Sequence, residues 1–147
     1  GAGSIPTPQR KSAKCVAMAK VLVIDDEPMI RWPIQQMLGT AGHEVCVAET
    51  AAEGFTVLRQ QRPDVVFLDV RLPDADGLTV LRRIKEECGP RPAVILMTAF
   101  DGWGANRAEA LRLGACDYLT KPFDFDALDA IVRKALEGQA AGDGRGH

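Results

Sequence analysis

Short apolar runs alternate along this chain with longer segments whose apolar residues fall three and four apart, and few architectures accept that alternation. A run that is apolar at consecutive positions, rather than at every second one, has to be covered on both faces. That is the condition of parallel strands joined by crossover helices. The runs are Val21 to Ile24, Val45 to Ala48, Val65 to Leu68, Ala93 to Met97 and a short one at Tyr118 to Leu119. Five βα units follow, and with them an α/β fold.

The intervening segments carry helix signals. Ile30, Ile34, Met37 and Leu38 form a stripe in the first helix, and Leu128, Ile131, Val132, Ala135 and Leu136 form one in the last; both should face the sheet. Thr50-Ala51-Ala52-Glu53 has the form of a capping box and opens the second helix. Asp124 is placed to cap the fifth. Two segments are weaker: Pro33 falls inside the first helix or its first turns, and Gly102-Trp103-Gly104 precedes a fourth helix anchored mainly by Ala108 and Leu111.

The 147 residues suffice for one domain, and composition sets its limits. Residues 1–19 are rich in Gly, Pro, Ser and Lys and lack periodicity, so they read as a tail or linker. Residues 20–137 form the domain, and the Gly-rich 138–147 read as a second tail or a shortened linker. Eighteen Lys and Arg stand against 20 Asp and Glu, a balance that offers no footprint for direct nucleic-acid binding. Cys15, Cys46, Cys88 and Cys116 are far apart, with only His43 and His147 to assist, so no zinc site is expected. With no secretory signal or membrane-length apolar run, the thiols are read as free in a reducing cytoplasm, and no membrane partner is expected.

Ligands of open parallel sheets bind outside the carboxyl ends of the strands. The residues found there are Asp25, Asp26 and Glu27 after the first strand, Asp69 after the third, Thr98 after the fourth, and Lys121-Pro122 after the fifth. Carboxylates gathered in one crevice repel one another and raise each other's pKa unless a cation lies among them. Mg²⁺ suits an aspartate pair beside a single aspartate better than Zn²⁺ or Ca²⁺ does, because it takes oxygen ligands and recruits few carboxylates. Asp69 is then placed as a nucleophile able to form an aspartyl phosphate. Thr98 offers a hydroxyl to one phosphoryl oxygen and Lys121 a mobile positive charge to another.

The segments VLVIDDEP at 21–28, FLDVRLPDADG at 67–77, ILMTA at 95–99 and GACDYLTKPF at 114–123 together resemble the receiver domain of bacterial two-component response regulators. Ile30-Arg31-Trp32 and the Tyr118–Asp124 segment look most like receivers of the nitrogen-regulation class. The resemblance implies a flavodoxin-like doubly wound (βα)5 fold with a parallel sheet in the order 2-1-3-4-5. It implies that Asp69 accepts a phosphoryl group from a histidine kinase, with Thr98 and Lys121 contacting it. Mg²⁺, which Mn²⁺ can replace, would be held by Asp25, Asp26, Asp69 and the main-chain carbonyl of Arg71. Thr98 and Tyr118 would be a switch pair, and the Lys121–Pro122 bond would be cis. Arg71 and Phe100 would tune how fast water reaches the acyl phosphate. The partners implied are a sensor kinase, an output domain or protein controlled through the fourth helix, fifth strand and fifth helix, and a second copy on phosphorylation. Such a domain is a signalling switch, catalysing only its own phosphorylation and dephosphorylation.

Other readings compete. A haloacid-dehalogenase-type phosphatase also uses Asp, Mg²⁺, Thr and Lys, but it requires a second Asp two residues after the nucleophile, where this chain has Arg71. A nucleotide-binding module lacks its glycine-rich motifs here. A receiver-like scaffold that binds partners without phosphate is the third. Taken alone, Tyr118 reads as a half-buried strand residue. Asp74-Ala75-Asp76-Gly77 reads as a turn rather than a calcium loop, and His43 as a loop or strand-start residue with no catalytic part. Trp103 is either a partner contact or packing across the fourth helix.

Overall fold

A computed structural model describes residues 19–99 and 104–144. Five parallel strands, β1 (Lys20–Ile24), β2 (Glu44–Ala48), β3 (Val65–Asp69), β4 (Ala93–Thr98) and β5 (Asp117–Thr120), form one sheet in the order β2-β1-β3-β4-β5. The connecting helices are α1 (Pro28–Thr40), α2 (Ala51–Gln61), α3 (Gly77–Cys88), α4 (Gly104–Arg112) and α5 (Leu128–Gly144), with a 3₁₀ turn at Phe125–Ala127 leading into α5. This is the flavodoxin-like doubly wound order. The strands run one or two residues beyond their apolar runs, since the ladder continues wherever a neighbouring backbone is in register. Asp69 pairs with Met97 and Thr98 with Thr120, so both functional candidates end strands rather than begin loops.

Side chains alternate across the sheet and divide the core in two. Leu22, Ile24, Val66, Leu68, Val94 and Leu96 pack against α2, α3 and α4, whereas Val21, Val23, Val65, Phe67, Ile95 and Met97 pack against α1 and α5. The expected stripes are in place: Ile34, Leu38, Leu128, Val132 and Ala135 are buried, and Ile30, Met37, Ile131 and Leu136 pack at the margin. Each fully buried Leu or Phe contributes about 1.5–3 kcal/mol relative to exposure. Pro33 does lie inside α1, which begins on Pro28.

The anchors of α4 differ from the sequence expectation. Ala108 is exposed and Leu111 is 44% exposed, while Ala110 is buried and Leu113 packs against the core. A helical face repeats at three and four residues, and it is the Ala110–Leu113 pair that the sheet meets. His43 also does more than precede β2. Its side chain is fully buried, with Nδ1 accepting from the Ala19 N–H at 3.0 Å and Nε2 at 2.7 Å from Asp129 Oδ1 on α5. Nδ1 accepts a main-chain proton, so the ring carries its own proton on Nε2 and donates it to the Asp129 carboxylate.

Candidate functional site

Because all five strands run parallel, their carboxyl ends lie at one end of the sheet. Asp25 leaves β1 and is buried completely, tied by its N–H to the Ala48 carbonyl. Asp26 beside it is exposed, and Asp69 at the end of β3 is only 6% exposed. One oxygen from each of Asp25, Asp26 and Asp69 can lie within 4.8 Å of the others. Lys121 follows β5 directly, and its N–H donates to the Thr98 carbonyl, so the β4 and β5 ends are joined where their side chains are needed.

Lys121 Nζ donates to Asp25 Oδ2 at 2.9 Å and to Glu27 Oε1 at 3.1 Å, and lies 3.6 Å from Asp69 Oδ1. Burial pushes its pKa down, but the hydrogen bond and charge of Asp25, followed by Asp69 and Glu27, more than reverse this, and the ammonium is held charged. Asp69 goes the other way. Burial first, then the charge of Asp25, raise its pKa from 3.8 to about 6, with Lys121 and the Arg71 N–H only partly opposing them. A nearly buried carboxylate that resists ionisation beside two other carboxylates is a donor set that a hard divalent cation relieves. The residues therefore fit Mg²⁺.

The loop after Asp69 curls over it. The Arg71 N–H donates to Asp69 Oδ1 at 3.3 Å, while the Arg71 side chain is exposed. Leu72 N–H donates to the Ala75 carbonyl, Arg71 bridges to Asp76, and the Gly77 N–H meets the Val70 carbonyl at 2.6 Å. A Cβ at Gly77 would stand 2.6 Å from Val70 Cα and 2.8 Å from the Asp69 carbonyl oxygen, so only glycine lets α3 start this close to the strand end. Asp76 caps α3 through the Leu78 and Thr79 N–H groups.

Thr98 is buried at the end of β4. Tyr118 is 7% exposed, so its ring is turned inward, and its buried hydroxyl forms no hydrogen bond of good geometry. Burial raises the phenol pKa, against smaller opposing effects of Arg107 and of the neighbouring Thr98 side chain. The Lys121–Pro122 peptide is cis, as is Arg91–Pro92. Phe100 and Trp103 lie outside the described residues.

Several residues of the site make contacts that the sequence does not display. Glu27 shares Lys121 with Asp25 and donates its N–H to Asp25 Oδ1 at 2.8 Å. Arg31 Nη1 donates to the Asp25 main-chain oxygen at 2.9 Å, pinning the acidic turn to α1. Asp74, read as part of a turn, accepts from Ala51 and Ala52 at the start of α2. Only Glu27 had a visible signal, its place beside the acidic pair; the partners of Arg31 and Asp74 depend on packing.

The comparisons with known proteins agree with this fold. Residues 21–133 match the model of the response regulator receiver domain, and the chain belongs to that family. It is 40% identical over 116 residues to the DNA-binding transcriptional regulator NtrC of Escherichia coli, covering 79% of this chain and 24% of NtrC. It is 38% identical over 119 residues to the virulence transcriptional regulatory protein PhoP of Salmonella typhimurium, covering 81% of this chain and 52% of PhoP. The chain thus spans a quarter to a half of these relatives. Among solved structures, NtrX from Brucella abortus superposes with a TM-score of 0.81 at 30% identity, covering 88% of this chain and 30% of NtrX. A response regulator receiver domain protein from Clostridium thermocellum superposes at 0.76 with 34% identity, covering 84% of this chain and 98% of that one. Among the described residues no helix is long and apolar enough to cross a membrane.

Proposed function

We propose that this domain is a phosphorylation switch in which Asp69 takes a phosphoryl group from the phosphohistidine of a sensor kinase. The observation that carries the reading is the Asp69 carboxylate, nearly buried at a strand end, with Lys121 Nζ 3.6 Å away and Asp25 and Asp26 gathered beside it. An Asp69 oxygen forms the new bond to phosphorus as the phosphorus–nitrogen bond of the donor breaks. Asp25, Asp26, Asp69 and the Arg71 carbonyl would hold Mg²⁺, which would neutralise charge on the phosphoryl oxygens. Lys121, already charged, moves from Asp25 toward the arriving oxygens, and Thr98 donates its hydroxyl to another. Little more is required, since phosphoryl transfer rests on positioning and charge. Tyr118 then reports the change along α4, β5 and α5, the face that meets an output domain, an output protein or a second copy.

The similarity to NtrC and NtrX favours the nitrogen-regulation class, whose members join a receiver to further domains. Arg71 and Phe100 slow the approach of water to the acyl phosphate, so Phe100→Ala shortens the lifetime of the adduct. The deciding experiment is the intact mass after incubation with Mg²⁺ and acetyl phosphate, beside Asp69→Asn. A single phosphoryl adduct that requires Mg²⁺ and is absent from the variant is expected. A folded wild-type protein that gains no adduct would make it a phosphate-independent binding module instead.

A further inference from the structure

The Tyr118 ring is turned inward, and its buried hydroxyl lies beside the Thr98 side chain. What lies over the ring comes from α4: the Arg107 guanidinium carbon is 5.6 Å from the ring centroid, within the range where a cation is attracted to an aromatic face. Arg107 itself is exposed, so its charged head spans the boundary between solvent and the buried ring. It is not one of the phosphate-facing residues, which lie on the β1, β3, β4 and β5 ends.

We infer that Arg107 is a positioning residue for the Thr98–Tyr118 pair, its guanidinium holding the ring inward and tying ring position to the position of α4. The inference rests on the reading of Tyr118 as a switch element. An outward ring leaves the guanidinium to solvent, so the contact exists in one state and not the other, and only such a difference biases a two-state equilibrium. At an exposed site the attraction shifts the inward-to-outward ratio by about two- to five-fold. It also gives the ring a handle on the helix. When Tyr118 moves outward, Arg107 loses its partner, and α4 loses that tie to the ring.

Tyr118 is the only tyrosine of the chain, which makes the test direct. Protein grown with 3-fluorotyrosine gives a single ¹⁹F resonance, and its solvent isotope shift between H₂O and D₂O measures how exposed the ring is. In the unphosphorylated protein, Arg107→Gln, which removes the charge and keeps a polar head, is expected to raise that shift toward the value of free fluorotyrosine, while Arg107→Lys stays near wild type. Far-UV circular dichroism should be the same for all three. An Arg107→Gln ring as protected as wild type, or an Arg107→Lys ring as exposed as Arg107→Gln, would overturn the inference. Adduct formation at Asp69 is scored separately and should persist in both variants; its absence from wild type would overturn the switch reading, whereas the ring measurement decides the role of Arg107 in either case.

Discussion

Asp69 holds its proton more tightly than an ordinary aspartate, and the sign of that shift has a measurable consequence. With a folded pKa of about 6 against 3.8, the folded state keeps the proton over a pH range in which the unfolded chain has lost it. The Asp69 contribution to stability is therefore most favourable below about 4, falls as pH rises toward 6, and carries the full cost of the ionised carboxylate above that. Asp69→Asn removes the cost. In the presence of EDTA at pH 7.5 it should unfold at higher urea, by about 1–3 kcal/mol, and the gain should disappear near pH 4. Saturating Mg²⁺ should shrink the gain at pH 7.5, because the cation stabilises the ionised wild type. Equal gains at both pH values would contradict burial and charge crowding as the cause. Gly77 makes a purely steric prediction: Gly77→Ala sets a methyl against the backbone of Asp69 and Val70 and should cost about 1–3 kcal/mol by urea unfolding.

Among the elements, α2 has two anchors and α5 has one that sequence did not display. The Thr50 hydroxyl accepts from the Glu53 N–H as a capping box requires, but the Glu53 carboxylate reaches back to Glu49 rather than to Thr50. Asp74 takes the next N–H groups, and its pKa is lowered by accepting from Ala51 and then Ala52. Its contribution is present above its ordinary pKa and fades as pH falls through the lowered one. Asp74→Ala should lower the melting temperature at pH 7, with Asp74→Asn falling less because it keeps an acceptor. On the other face, His43 joins the start of β1 to Asp129 on α5. His43→Ala leaves the Ala19 N–H without its acceptor and a cavity between the elements. It should cost about 2–4 kcal/mol and speed amide exchange at the start of β1 and of α5.

For the molecule as a whole, the core that packs α2, α3 and α4 against the sheet has a fixed part and, under the proposed switch, a responsive one. α2 and α3 are joined by the Arg59–Glu87 pair, and Arg59 and Arg83 both lie over the Phe55 ring. The Tyr118 ring, by contrast, lies beneath Arg107 from α4 and beside Thr98. Adding Mg²⁺ and acetyl phosphate should therefore change hydrogen exchange across residues 104–136 and at the Asp69 loop, with little change in α2 and the end of α3. Uniform protection of the whole domain would instead indicate simple stabilisation by ligand.

The sequence by itself determined the five strands, the stripes of α1 and α5, and the set of polar residues at the strand ends. Those features are local: apolar runs, three- and four-residue spacing and the residue that follows each run are all read within a few positions. The tertiary structure decided what those residues touch. That Lys121 rests on Asp25 and Glu27, that Asp74 serves α2 rather than its own turn, and that α4 is anchored by Ala110 rather than Ala108 are contacts across tens of residues or choices between adjacent faces. A partner at long range leaves no periodic trace in the chain, because hydrogen bonds and burial depend on distance in space, and that distance exists only once the sheet has closed its order.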